Sequence, residues 1–139
     1  MTRIMGLDVG DKTIGVALSD PMFLMAHPIE TIIRKKASLD IQRLVEIIEK
    51  ENVETIVVGL PKNMNNSIGP QSMKVMSFVD LLRKQTDKTI VYEDERMTTL
   101  QSERVLIDMD VRRENRKKYI DKIAATFILQ SYLDRRNNG

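Results

Sequence analysis

The chain has 139 residues, 42% hydrophobic and 30% charged, and its 22 Lys and Arg against 20 Asp and Glu leave a formal net charge of +2. These totals describe one soluble globular domain, residues 1–139. They exclude a disordered chain and a membrane span, since no apolar run approaches the roughly 20 residues that a bilayer requires. With no Cys and one His, disulfides and Cys/His zinc chemistry are excluded too, so any metal must be held by oxygen.

Met1-Thr2-Arg3 leads directly into strand-like residues with no leader-like apolar segment, so the expected location is cytoplasmic. Ile4 to Asp20 reads as a β-hairpin: a buried strand with a carboxylate, Asp8, near its end, a turn through Gly10-Asp11-Lys12, and a returning strand of small residues. A carboxylate inside an apolar run is costly without a cationic or hydrogen-bonding neighbour. Ala26 to Ile33 predicts a third strand, its Pro confined to the start, which completes an antiparallel meander.

Ser38 is the expected cap of a first helix that buries Ile41, Leu44, Val45 and Ile48 and ends at Asn52. Glu54 to Leu60 is a strand buried on both faces. After an Asn-rich turn, Pro70 opens a second helix that buries Val75, Met76, Val79 and Leu82. Thr89 to Tyr92 is the fifth strand and runs into Glu93-Asp94-Glu95-Arg96. Thr98 or Thr99 caps a further helix, Asp110 to Lys118 is expected as a loop, and from Lys117 a last helix buries Ile120, Ile123, Ala124, Phe127 and Ile128 before fraying at Arg135. The order β-β-β-α-β-α-β-α-α gives an α/β fold, a five-stranded mixed sheet flanked by helices.

Ligands of such sheets sit beyond strand ends, where Asp8 and the pair Asp94 and Glu95 are expected. Asp121, in line with Ala124, Ala125 and Ile128 on the last helix, is the third candidate acid. Carboxylates brought within a few Å repel one another, an arrangement that suits a divalent cation. Oxygen ligands favour Mg2+ or Mn2+, and two such ions about 4 Å apart can activate water on a phosphodiester. Between Arg112 and Lys122 six cations, Arg112, Arg113, Arg116, Lys117, Lys118 and Lys122, face two acids, which makes the segment a candidate phosphate-binding surface.

Four motifs, Gly6-Leu7-Asp8-Val9-Gly10-Asp11-Lys12-Thr13-Ile14-Gly15-Val16-Ala17, Val58-Gly59-Leu60-Pro61-Lys62-Asn63-Met64, Asp94-Glu95-Arg96-Met97-Thr98-Thr99 and Lys117-Lys118-Tyr119-Ile120-Asp121-Lys122-Ile123-Ala124-Ala125, resemble in that order the YqgF family of bacterial proteins, also called RuvX. Its members are described as pre-16S rRNA nucleases or Holliday junction resolvases. The resemblance implies the ribonuclease H-like fold and a metal-dependent nuclease with catalytic and metal-binding carboxylates Asp8, Glu95 and Asp121, Asp94 being a possible additional acid. It implies nucleic-acid contacts by Lys12 and Arg96, with Arg112, Arg113, Arg116, Lys117 and Lys118 as the basic surface. The implied substrate is precursor 16S rRNA, with the small ribosomal subunit as a possible partner and a monomer or weak homodimer as the working form. The alternatives are cleavage of branched DNA and a non-catalytic RNA-binding assembly factor.

Overall fold

The structure, a computed structural model, describes residues 1–61, 68–94 and 113–138, of which 113–122 and 138 are described as backbone alone. Three strands come first, β1 (Arg3–Val9), β2 (Thr13–Ser19) and β3 (Ala26–Ile33), then α1 (Ala37–Lys50), β4 (Val53–Leu60), α2 (Pro70–Arg83), β5 (Thr89–Asp94) and α3 (Arg113–Asn138). The strands form one mixed sheet in the order β3-β2-β1-β4-β5. Within it β1–β2 and β2–β3 pair antiparallel, and β1–β4 and β4–β5 pair parallel. This is the expected α/β architecture.

The two central strands are apolar on both sides because both sides are covered. One side carries Met5, Leu7 and Val9 of β1, Ile56 and Val58 of β4 and Ile90 of β5, packed under α1 and α2 through Leu44, Ile48, Val75, Phe78, Val79 and Leu82. The other side carries Ile4, Ala17 and Val57 against Ala125, Ile128, Leu129 and Leu133 of α3. Between them sits Gly6: a Cβ built there would lie 2.7 Å from Leu129 Cβ and 2.8 Å from the Ala125 carbonyl oxygen, so α3 rests almost directly on the backbone of β1.

The parallel strands β1, β4 and β5 all end at one edge of the sheet. β3 also ends there, with Ile33 opposite Thr13. Both α1 and α2 therefore start at that edge, directing their positive dipole ends to it.

Four details differ from the sequence reading. Ser38 lies inside α1, whose N-cap position is Lys36 with no side-chain cap, because the linker reaches helical geometry two residues earlier. Phe78 is buried in α2, while Met76 only packs against that cluster in part. The last helix begins at Arg113 instead of Lys117, so the segment expected as a loop up to Lys118 is helical from 113 onward, and it continues to Asn138 without ending at Arg135. Asn52 does end α1, in the left-handed region at φ 53, with its side-chain Nδ2 donating to the Met1 carbonyl oxygen at 2.6 Å. The helix expected after Thr98 and residues 62–67 of the Asn-rich turn before Pro70 lie outside the described residues.

Candidate active site

Asp8 stands next to last on the central strand, partly exposed among buried neighbours. Alternation along β1 puts it on the side of Ile4 and Gly6, the side that α3 covers. Just beyond it the chain turns: the Gly10 N–H donates to the Thr13 carbonyl at 2.8 Å, and a Cβ at position 10 would come within 3.1 Å of that same oxygen. The turn carries the exposed Asp11 and Lys12 at the carboxyl edge of the sheet.

Across the sheet Leu7 pairs with Val58 and Val58 with Tyr92, so one residue further on Asp8, Gly59 and Glu93 form a row. All three share the α3 side, since Val57 and Val91 belong to the cluster under α3. Gly59 places no side chain between the two acids. Asp94 has the opposite parity, that of Ile90 and Tyr92, and so lies on the α1/α2 side, away from Asp8.

Asp121 belongs to α3, one turn before Ala125, the residue whose carbonyl abuts Gly6. From there α3 descends towards the β2–β3 connection, where Gln130 Oε1 accepts from the Ala26 N–H at 2.8 Å and Asn137 Nδ2 donates to the Phe23 carbonyl at 2.9 Å. The N-terminal turns of α3, including Asp121, therefore lie towards the edge that carries Asp8. Arg113, Arg116, Lys117 and Lys118 occupy those first turns. Glu95, Arg96 and Arg112 lie outside the described residues.

Glu93 is the acid that sequence reading passed over. It is one of the few buried charged residues; its Oε1 accepts from Arg135 Nη1 at 2.7 Å, and its Oε2 is buried with no partner among the described residues. The hydrogen bond to Glu93 raises the pKa of Arg135 above its ordinary value. The signal was available in the alternation of β5, where a Glu two residues after Val91 falls on the covered side.

No three His, Cys, Asp or Glu side chains cluster as a metal site among the described residues, in which Asp8 is the one member of the expected trio whose side chain is described. The donor chemistry of that trio is carboxylate oxygen alone, the set that hard cations such as Mg2+ and Mn2+ prefer.

A family model described as "RuvX: Holliday junction resolvase" matches residues 2–135. A protein of Caldanaerobacter subterraneus subsp. tengcongensis named "Putative pre-16S rRNA nuclease" is 56% identical over 138 residues, covering 99% of each chain. One of the same name from Clostridium botulinum is 50% identical over 132 residues, covering 95% of this chain and 96% of its own. Among solved structures, T. thermophilus RuvC in complex with a Holliday junction substrate superposes with a TM-score of 0.63 at 13% identity, covering 99% of this chain and 97% of that one. Fowlpox virus resolvase with junction DNA superposes at 0.57 and 16% identity, covering 97% and 99%. At such identities the two structures bear on the fold, which is RuvC-like and ribonuclease H-like.

Proposed function

Because the chain belongs to the RuvX family, we propose that it is a metal-dependent endonuclease that hydrolyses phosphodiesters of structured nucleic acid, with the 5′ end of the 16S rRNA precursor as its substrate. The observation that carries this reading is the position of Asp8, a carboxylate at the open edge of the central strand on the side where α3 packs, with Asp121 one helical turn ahead of the residue that touches Gly6. Glu95 is the third acid. The resemblance to the family points to it, and Asp94, its neighbour, lies on the α1/α2 side of the sheet, away from Asp8.

Asp8, Glu95 and Asp121 would hold one or two Mg2+ or Mn2+ ions, which when bound supply a water of lowered pKa and offset charge on the phosphoryl oxygens. The chain's own contribution is placement. β1, buried on both sides and fixed by β2 and β4, holds the Asp8 carboxylate in one position, and α3 carries Asp121 towards it. Lys12, Arg96 and the basic residues Arg112, Arg113, Arg116, Lys117 and Lys118 bind substrate phosphates and neutralise their charge. We place the protein in the cytoplasm, working with the small ribosomal subunit; no helix among the described residues is long and apolar enough to cross a membrane.

The test compares wild type with Asp8→Asn, Glu95→Gln and Asp121→Asn on precursor rRNA, with Mg2+, Mn2+ or a chelator. Each variant is expected to lose about a hundredfold or more of cleavage, the scale of losing one group that stabilises developing charge, and the chelator to abolish it. Wild-type cutting by all three variants would overturn the reading. A second reading, cleavage of four-way DNA junctions, is favoured by the description of the matching family. A junction has two-fold symmetry and asks for a dimer, so a monomer that leaves junctions intact while trimming precursor rRNA excludes it.

A further inference from the structure

The edge of the sheet that bears Asp8 is also where positive charge collects on the α1/α2 side. The linker from β3 to α1 is the run Arg34-Lys35-Lys36, and the Arg34 N–H donates to the Lys12 carbonyl at 2.9 Å, which fastens this linker to the turn that follows Asp8. Arg34 is held on every side: Nη1 donates to the Gly10 carbonyl at 2.8 Å, Nε to Asp40 Oδ2 at 3.3 Å, and its guanidinium lies 5.0 Å from the centre of the Phe78 ring. The other Asp40 oxygen accepts from the Lys35 N–H at 3.1 Å, so the buried Asp40 fixes the backbone of the basic run.

With Arg34 spent on structure, the side chains of Lys12, Lys35 and Lys36 point outward, exposed and without an ion pair among the described residues. Lys74 of α2 stands beside them, in a weak exposed pair with Asp11 at 3.5 Å, and a groove of about 340 Å3 runs between Arg34, Lys74 and Phe78. Both helices on this side begin at the same edge with no side-chain cap, which adds the positive ends of their dipoles. The far edge is mixed in charge, with Glu49, Glu51, Glu54 and Asp87 among Lys50, Lys84 and Lys88.

We propose that Lys12, Lys35, Lys36 and Lys74, set in place by Arg34, form a ridge that binds the phosphate backbone of a double-helical arm of the substrate beyond the phosphodiester being cut. This rests on the nuclease reading and extends it to a surface not read from the sequence except for Lys12. The ligand is a phosphate backbone because the ridge offers ammonium groups and no open aromatic face: Phe78, the ring in the groove, lies under Arg34. A ridge of this kind holds duplex without reading its sequence, through counterion release.

The experiment measures fluorescence anisotropy of a labelled 20-base-pair RNA duplex and the matching DNA duplex across a salt series, with calcium replacing the activating metal so that nothing is cut. It compares wild type, the variant Lys35→Gln/Lys36→Gln/Lys74→Gln, which leaves Lys12 in place, and the charge-matched control Lys50→Gln/Lys84→Gln/Lys88→Gln at the opposite edge. The ridge variant is expected to bind about tenfold or more weakly at 100 mM salt, with a salt dependence shallower by about two to three phosphate equivalents, while the control tracks wild type. A ridge variant with wild-type affinity and slope overturns the ridge and leaves the nuclease reading standing. Equal weakening by the control overturns it as well, since the effect is then one of net charge. Failure of the wild type to bind either duplex overturns both readings.

Discussion

Glu93 and Arg135 join residues 42 positions apart, and their environments are unequal: the Glu93 side chain is 7% exposed and that of Arg135 61%. The carboxylate is thus desolvated while its partner keeps much of its water. Removing the partner leaves a buried charge with neither oxygen bonded among the described residues, and that asymmetry sets the cost. Arg135→Ala is expected to destabilise the fold by about 1–3 kcal/mol, below the range of a fully buried pair because Arg135 is well exposed. Adding Glu93→Gln should recover part of the loss, since a neutral amide is cheaper to bury than an unpaired carboxylate. Urea unfolding of the two single variants and the double variant measures this, and additive losses would show that the two side chains do not act as a pair. At this scale Asp8 was legible, because a lone acid in an apolar run stands out in any window. For Glu93 the alternation of β5 marks its side of the strand, but its burial was not legible, because it sits in the acidic block Glu93-Asp94-Glu95 and is covered by a helix that returns some 40 residues later.

The elements that could be read from the sequence are those whose packing is periodic. The five strands and α1 appear within a residue or two of their expected ranges, because alternation or a helical stripe of apolar side chains marks each one. The start of α3 escaped for a physical reason: its first turns, around Arg113 and Arg116, are charged and carry no apolar stripe, so helix and loop look alike in sequence. What fixes α3 is contact with the sheet, and the tightest contact is at Gly6. Gly6→Ala introduces a Cβ within 2.7 Å of Leu129 Cβ and 2.8 Å of a backbone oxygen, neither of which can yield without moving the helix. The expected cost is about 1–3 kcal/mol, the usual penalty for overpacking a filled core. Under the proposed function Asp121 is a catalytic acid carried by α3, so cleavage should fall by more than the fraction unfolded explains. Thermal unfolding and single-turnover cleavage, both below the melting range, separate the two effects; an unchanged midpoint would show that the sheet and helix part freely. Gly6 was legible as part of a motif, but its role as the seat of α3 was not, since Ala125 and Leu129 are far away in sequence.

For the whole molecule, what matters is that both apolar layers share the same strands. Met5 and Leu7 point into the layer under α1 and α2 while Ile4 and Gly6 meet α3, so neither layer can come apart without exposing the other side of β1 and β4. The order β3-β2-β1-β4-β5 puts those two strands near the middle, where each is hydrogen-bonded on both sides. The sequence shows this as two continuous apolar runs, Ile4 to Leu7 and Ile56 to Val58. It does not show which strands are neighbours, because β1 reaches β4 only after an intervening hairpin and helix. We therefore propose that residues 1–139 unfold as one unit. Calorimetry should give a single transition with an enthalpy of about 100 kcal/mol near 60 °C, equal to its van't Hoff value. Substitutions on opposite sides of the sheet, Val79→Ala under α2 and Leu133→Ala under α3, should lower the same midpoint, each by removing a fully buried side chain at a cost of about 2–5 kcal/mol for the leucine and less for the valine. Two separable transitions, or a midpoint that only one of the two variants moves, would mean that α3 is a unit apart from the sheet. The placement of Asp121 beside β1 would then depend on substrate or metal.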